Sequence, residues 1–113
     1  MVHIEKPWGY ENLIEVNDDY VVKELFMKNG HSCSLQYHEK KHETFYLVSG
    51  KLRFYVGDTK DDLKILDLDP GKSYTIKPLV VHRMEALEDS IYIEASTNYL
   101  DDVIRLEDKY GRI

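Results

Sequence analysis

The sequence predicts an all-β protein, an antiparallel sandwich or barrel, and three observations carry that reading. Turn signals recur at short intervals: Asn17-Asp18-Asp19, Asn29-Gly30, Ser49-Gly50, Gly57-Asp58, Asp69-Pro70-Gly71 and Glu88-Asp89. The segments between them alternate in polarity with a period of two, as half-buried strands do. Nine tyrosines, with many Val and Ile, favour strands over helices.

Taken in chain order, the pattern predicts strands at Glu11–Val16, Tyr20–Met27, Ser32–His38, Glu43–Val48, Lys51–Val56, Leu63–Leu68, Ser73–Ile76, His82–Leu87 and Ile91–Ser96. In Lys51–Val56 the residues Leu52, Phe54 and Val56 share one face, and Lys51, Arg53 and Tyr55 the other. In Ser32–His38 a polar set, Ser34, Gln36 and His38, lies opposite Cys33, Leu35 and Tyr37. That polar face either meets water or looks into a polar pocket. If it looks into a pocket, the opposite face needs cover from another strand layer, from the segment around Trp8 or from a second subunit, which makes a homodimer the expectation. The tail Leu100–Ile113 reads as a helical turn or as an extended cover, with Leu100, Val103, Ile104 and Leu106 as its apolar positions.

Length and charge bound the function. A chain of 113 residues fits one domain. Apolar residues make up 42% of it, too many for a disordered chain. The formal net charge of −6 argues against a nucleic-acid binder, although local Lys and Arg can still attract an anionic small molecule into a cleft. Cys33 is the lone cysteine, so no internal disulfide can form. No apolar run approaches the roughly 20 residues of a membrane span. The start, Met-Val-His-Ile-Glu-Lys-Pro-Trp, lacks the apolar stretch of a signal peptide, and a cytoplasmic location is expected.

The chemistry-bearing residues gather around one loop. After His38 comes the polar stretch Glu39-Lys40-Lys41-His42, and Glu43 then opens a strand in line with Phe45 and Leu47. A carboxylate on an apolar face is costly unless something pairs with it or binds it. Lys40 or Lys41 could pair with it. His82 shares its face with Met84 and Ala86. Gln36, His38, Glu43 and His82 together would make a mixed nitrogen–oxygen site for one divalent ion, zinc first, with manganese, iron, cobalt or nickel as alternatives.

Longer strings point to a family. Gly30-His-Ser-Cys-Ser-Leu-Gln-Tyr-His38 with Glu43 and Ser49-Gly50 resembles the first cupin motif. Asp69-Pro70-Gly71 with Pro78 and His82-Arg83 resembles the second. Lys6-Pro-Trp-Gly and Arg105-Leu-Glu-Asp-Lys-Tyr-Gly-Arg112 are more particular, and the whole resembles the cupin domain of type II phosphomannose isomerases, often fused behind a mannose-1-phosphate guanylyltransferase. The resemblance implies a single-domain cupin, a double-stranded β-helix or jelly roll, spanning residues 1–113. No Gly-rich nucleotide loop is present, so no nucleotidyl transfer is implied. Two departures stand out: Lys40 occupies a position where many members have His, and Pro78-Leu-Val-Val-His82 is one residue shorter than the usual motif and lacks its glycine.

The activity implied is a metal-dependent conversion of mannose 6-phosphate to fructose 6-phosphate through an enediol, with a phosphorylated sugar as partner. Lys40, Lys41, His42 and Asp108 are candidate proton-transfer groups. Arg105 and Arg112 suit phosphate, because a guanidinium matches its oxygens in pairs. Either arginine could instead pair at the surface with Glu107 or Asp108. A cupin enzyme acting on another sugar phosphate or nucleotide sugar is the alternative, as is a non-catalytic metal- or sugar-binding cupin, which Lys40 and the shortened motif would suit.

Overall fold

A computed structural model describes residues 1–113 as eleven strands and no helix. They are β1 (Val2–Lys6), β2 (Gly9–Val16), β3 (Val21–Met27), β4 (Leu35–Tyr37), β5 (Glu43–Ser49), β6 (Leu52–Gly57), β7 (Leu63–Leu68), β8 (Ser73–Ile76), β9 (Val81–Ala86), β10 (Ser90–Ser96) and β11 (Ile104–Glu107). With no helix, nothing in the chain is a helix long and apolar enough to cross a membrane. The strands form two antiparallel sheets, one ordered β1-β2-β3-β10-β5-β8 and the other β11-β4-β9-β6-β7. Most connections cross between sheets, so chain neighbours such as β5 and β6 lie in different layers.

The two inner faces meet in an apolar core of Leu25, Met27, Phe45, Leu47 and Tyr92 from the larger sheet against Leu52, Phe54, Val56, Met84 and Ala86 from the smaller. Alternation places them there: β3, β5 and β6 bury every second residue. Phe45 packs edge-on against Phe54, at 5.1 Å between ring centres, and against Tyr92. Trp8 joins the same cluster, and Gly9 follows it because a side chain there would run into the Phe26 carbonyl, 1.9 Å from where its Cβ would sit. Gly50 has φ +92° in the tight passage from β5 to β6.

Two expectations need correction. Ser32–His38 is not one continuous strand: only Leu35–Tyr37 pairs regularly, Ser32 makes an isolated bridge to Glu85, and Cys33 Sγ accepts the Met84 N–H. That irregularity breaks the two-face alternation, so Cys33 lines the interior cavity beside Gln36 and His38, and Leu35 is buried within the single chain. The uncovered apolar face expected on this segment is therefore absent. Of the two forms open to the tail, the structure has the extended one, with no helical turn at Leu106. The tail runs as β11, which pairs with β4 and places Arg105 opposite Gln36. Tyr110 then packs against the core and shares a 2.7 Å hydrogen bond with His31. An additional strand, β1, pairs with β2 where no turn signal had marked one.

Candidate functional site

The core fills only part of the interior. The same inward rows continue into polar residues: Lys23 on β3, Glu43 on β5, Glu94 on β10 and His82 on β9, each less than one-tenth exposed. They line a cavity of about 510 Å³, the size of a small-molecule pocket, floored by Trp8, Leu25, Met84 and Tyr92.

Glu43 sits at its centre. Its Oε1 lies 3.1 Å from His38 Nε2 and 3.4 Å from His82 Nε2. The far side of each ring settles which nitrogen carries hydrogen. His38 Nδ1–H donates to the Asp102 carbonyl, and His82 Nδ1–H donates to the Val80 carbonyl at 2.9 Å. A carbonyl can only accept, so Nδ1 carries hydrogen on both rings and each Nε2 turns inward to Glu43, donating to its carboxylate when the ring is doubly protonated and presenting a lone pair when it is neutral. The three candidate ligand atoms lie within 4.8 Å of one another. Glu43 Oε2 is buried without a hydrogen bond, although Lys41 Nζ is 3.1 Å away. Burial opposes ionisation of Glu43, but the two imidazoles and the Lys41 ammonium together hold its carboxyl well below the usual range. This is an electron-rich, pre-oriented donor set that could hold a divalent cation.

Gln36 borders the set. It pairs in register with His82, but its Oε1 already accepts the Ser34 hydroxyl at 2.7 Å, which leaves one lone pair for any other partner.

Lys41 is buried rather than waiting at a loop tip. Its ammonium bridges Glu43 and Glu94, at 3.1 and 3.0 Å, and these two carboxylates raise its pKa despite its burial. Burial, reinforced by the charge of Glu43, pushes the Glu94 carboxyl up to about 7. Lys23 stands directly across from Glu94 on β3 and lies 3.5 Å from Glu11. Burial likewise pushes the Cys33 thiol up to about 11, making it an inert wall of the cavity.

The remaining candidates divide. Arg105 and Arg112 both line the cavity. Arg112 grips Asp108 through Nε and Nη2, at 2.8 and 3.0 Å, the partner that was the alternative to phosphate for it, though the pair is largely buried rather than on the surface. Arg105 forms no ion pair, and its buried Nε has no hydrogen-bond partner. Lys40, His42 and Asp108 are not among the lining residues: Lys40 and His42 are exposed on the loop, and Asp108 is occupied by Arg112.

Glu94, Lys23 and Asp102 were not read from the sequence. On β10 the alternation runs opposite to the simple rule, with Tyr92 and Glu94 facing in and Ile91 and Ile93 outward. An acidic residue in phase with Tyr92 was the available signal, the same one that marked Glu43. Asp102 carried no period and no motif.

Two antiparallel sheets wound around a polar cavity define the class, a cupin. The chain matches the family described as mannose-6-phosphate isomerase C-terminal over residues 1–108, and it belongs to that family. Among similar proteins, the xanthan biosynthesis protein XanB of Xanthomonas campestris pv. campestris (strain B100) is 32% identical over 96% of this chain. The alginate biosynthesis protein AlgA of Pseudomonas aeruginosa is 35% identical, also over 96%. This chain spans 23% of the length of each. An RmlC-like cupin from Shewanella frigidimarina superposes with a TM-score of 0.77 at 18% identity, covering 88% of this chain and 86% of that one, a likeness of fold.

Proposed function

We propose that this protein is a metal-dependent aldose–ketose isomerase of the cytoplasm that interconverts mannose 6-phosphate and fructose 6-phosphate. The observation that carries the reading is the convergence of His38 Nε2 and His82 Nε2 on Glu43 inside a cavity that also holds an unpaired arginine. Membership of the mannose-6-phosphate isomerase C-terminal family supports the same substrate class.

His38, Glu43 and His82, with Gln36 beside them, would hold the ion. When bound, the ion would supply Lewis acidity toward the sugar carbonyl. The rest falls to the chain itself. Arg105, Gln36 and His82 occupy one cross-strand row on the smaller sheet. Adjacent strands lie about 4.8 Å apart, which sets Arg105 about 10 Å along that row from His82. The phosphate of an open-chain sugar would rest at Arg105 while its carbonyl end reaches the histidines. Lys6, also on the cavity wall, adds positive charge. Moving a proton between C2 and C1 requires a group that takes and returns it, and the buried Glu94, with its carboxyl pushed up to about 7, would serve. Lys41 keeps a place as the fixed cation between Glu43 and Glu94, and Lys40 and Asp108 give theirs up.

A homodimer belongs to the same reading. The outer face of the larger sheet aligns Phe26 with Ile91 and Ile93 with Tyr46, an apolar surface for a second copy. Sedimentation showing only monomer at high micromolar concentration would remove that part.

The deciding experiment measures metal content of the purified protein alongside turnover of mannose 6-phosphate. Stoichiometric metal with turnover, lost in Arg105→Ala through a raised KM, is the expected result. Metal without turnover moves the substrate to another sugar phosphate, and a protein that takes up no metal returns the fold to a binding role.

A further inference from the structure

We infer that Asp102 is a positioning residue that locks the C-terminal segment onto the His38–Glu43–His82 cluster and sets the orientation of His38. Its carboxylate accepts three successive backbone N–H groups, from Glu39 at 3.0 Å, Lys40 at 2.7 Å and Lys41 at 2.9 Å. Its own carbonyl accepts His38 Nδ1–H. One residue thus binds four consecutive residues of the loop that leaves β4.

Successive N–H groups turned to a common point form a nest for an anion. Here the chain supplies the anion itself. The consequence reaches both ends of the loop. At one end, the Asp102 carbonyl keeps hydrogen on His38 Nδ1 and points Nε2 at Glu43. At the other, the carboxylate fixes the backbone of Lys41, whose ammonium must reach both Glu43 and Glu94. Substituting the side chain leaves the carbonyl chemically intact but removes the three bonds that hold it in place. Asp102 also lies three residues before Arg105, so the same anchor delivers β11 to the cavity wall.

The effect on metal affinity rests on reading the cluster as a metal site; the effect on His38 does not, and the test separates them. In the metal-free protein, nitrogen NMR of the imidazoles should show His38 Nδ1 protonated, with the slowly exchanging Nδ1–H signal of a hydrogen bond to a carbonyl. In Asp102→Ala, that Nδ1–H signal should be lost to faster exchange, and amide exchange at Glu39, Lys40 and Lys41 should accelerate by at least about tenfold, with exchange in β5, β9 and β10 unchanged. Zinc affinity by calorimetry should fall about 10- to 100-fold, the usual cost of losing a group that orients a ligand. Asp102→Asn keeps one acceptor oxygen and should fall between wild type and Asp102→Ala; it also serves as the informative variant if the alanine protein fails to fold. A substituted protein that keeps the slowly exchanging His38 Nδ1–H and slow loop amides overturns the inference. A wild-type protein that binds no zinc overturns the metal reading instead, and the Nδ1–H measurement still decides the role of Asp102.

Discussion

The backbone N–H of Leu79 donates to the His38 carbonyl at 2.7 Å, and Leu79 makes that bond from a left-handed conformation, φ +71°. It stands in the shortened turn before His82, where the usual cupin motif carries glycine. A non-glycine residue in that region bears about 1–2 kcal/mol of strain. The turn therefore holds two candidate ligands, His38 through its carbonyl and His82 through the following strand, with a residue poorly suited to its backbone.

Leu79→Gly should for that reason stabilise the protein. Relief of strain outweighs the extra backbone freedom that glycine brings to the unfolded chain, about 0.5–1 kcal/mol. Leu79 is 62% exposed, so little packing is lost. The expected net gain is about 0.5–1 kcal/mol, read as a higher urea midpoint at unchanged slope; a lower midpoint would contradict the argument.

A divalent ion should stabilise the fold through the His38–Glu43–His82 cluster. At a free concentration 100 times its Kd, a ligand bound only by the native state adds about 2.7 kcal/mol. Thermal melts with zinc against excess chelator should show that shift in the wild type. His82→Ala and Glu43→Gln should abolish it while remaining folded in chelator.

Removing the Lys41 ammonium should leave Glu43 and Glu94 facing each other in the interior without a cation between them. Breaking a buried pair in this way costs about 3–5 kcal/mol. Lys41→Met should therefore melt far below the wild type at neutral pH, and adding Glu94→Gln should recover part of the loss. Two single losses that simply add would show that the three groups do not act together.

Acid should release the tail. The Arg112 guanidinium beside Asp108 lowers its carboxyl from 3.8 to about 2. A depressed carboxylate contributes stability that is fully present above its unfolded value and is lost as pH falls through its folded one. The Asp108–Arg112 contribution should thus be constant above about pH 5 and disappear between 3.8 and about 2. A carboxyl NMR titration of Asp108 checks the midpoint, and Arg112→Ala should return it toward 3.8.

The sequence by itself determined the strand pattern, the cupin class and the residues that meet at Glu43, because these rest on local information. Period-two alternation in Lys51–Val56 and Glu43–Val48 predicts faces directly, and a carboxylate in phase with Phe45 and Leu47 announces Glu43 as a group needing a partner. The same alternation fails where the chain departs from regular pairing. Cys33 enters the cavity because Ser32–Ser34 is irregular, and β10 turns isoleucines outward while Glu94 is buried. Only the tertiary structure decided which cations stay free. Lys41 lies 53 residues from Glu94 in sequence yet bridges it to Glu43, and Asp108 claims Arg112 and leaves Arg105 unpaired. Asp102 reaches back 64 residues to His38. Such pairings arise from the packing of sheet edges and loops, and no periodicity within a strand encodes them.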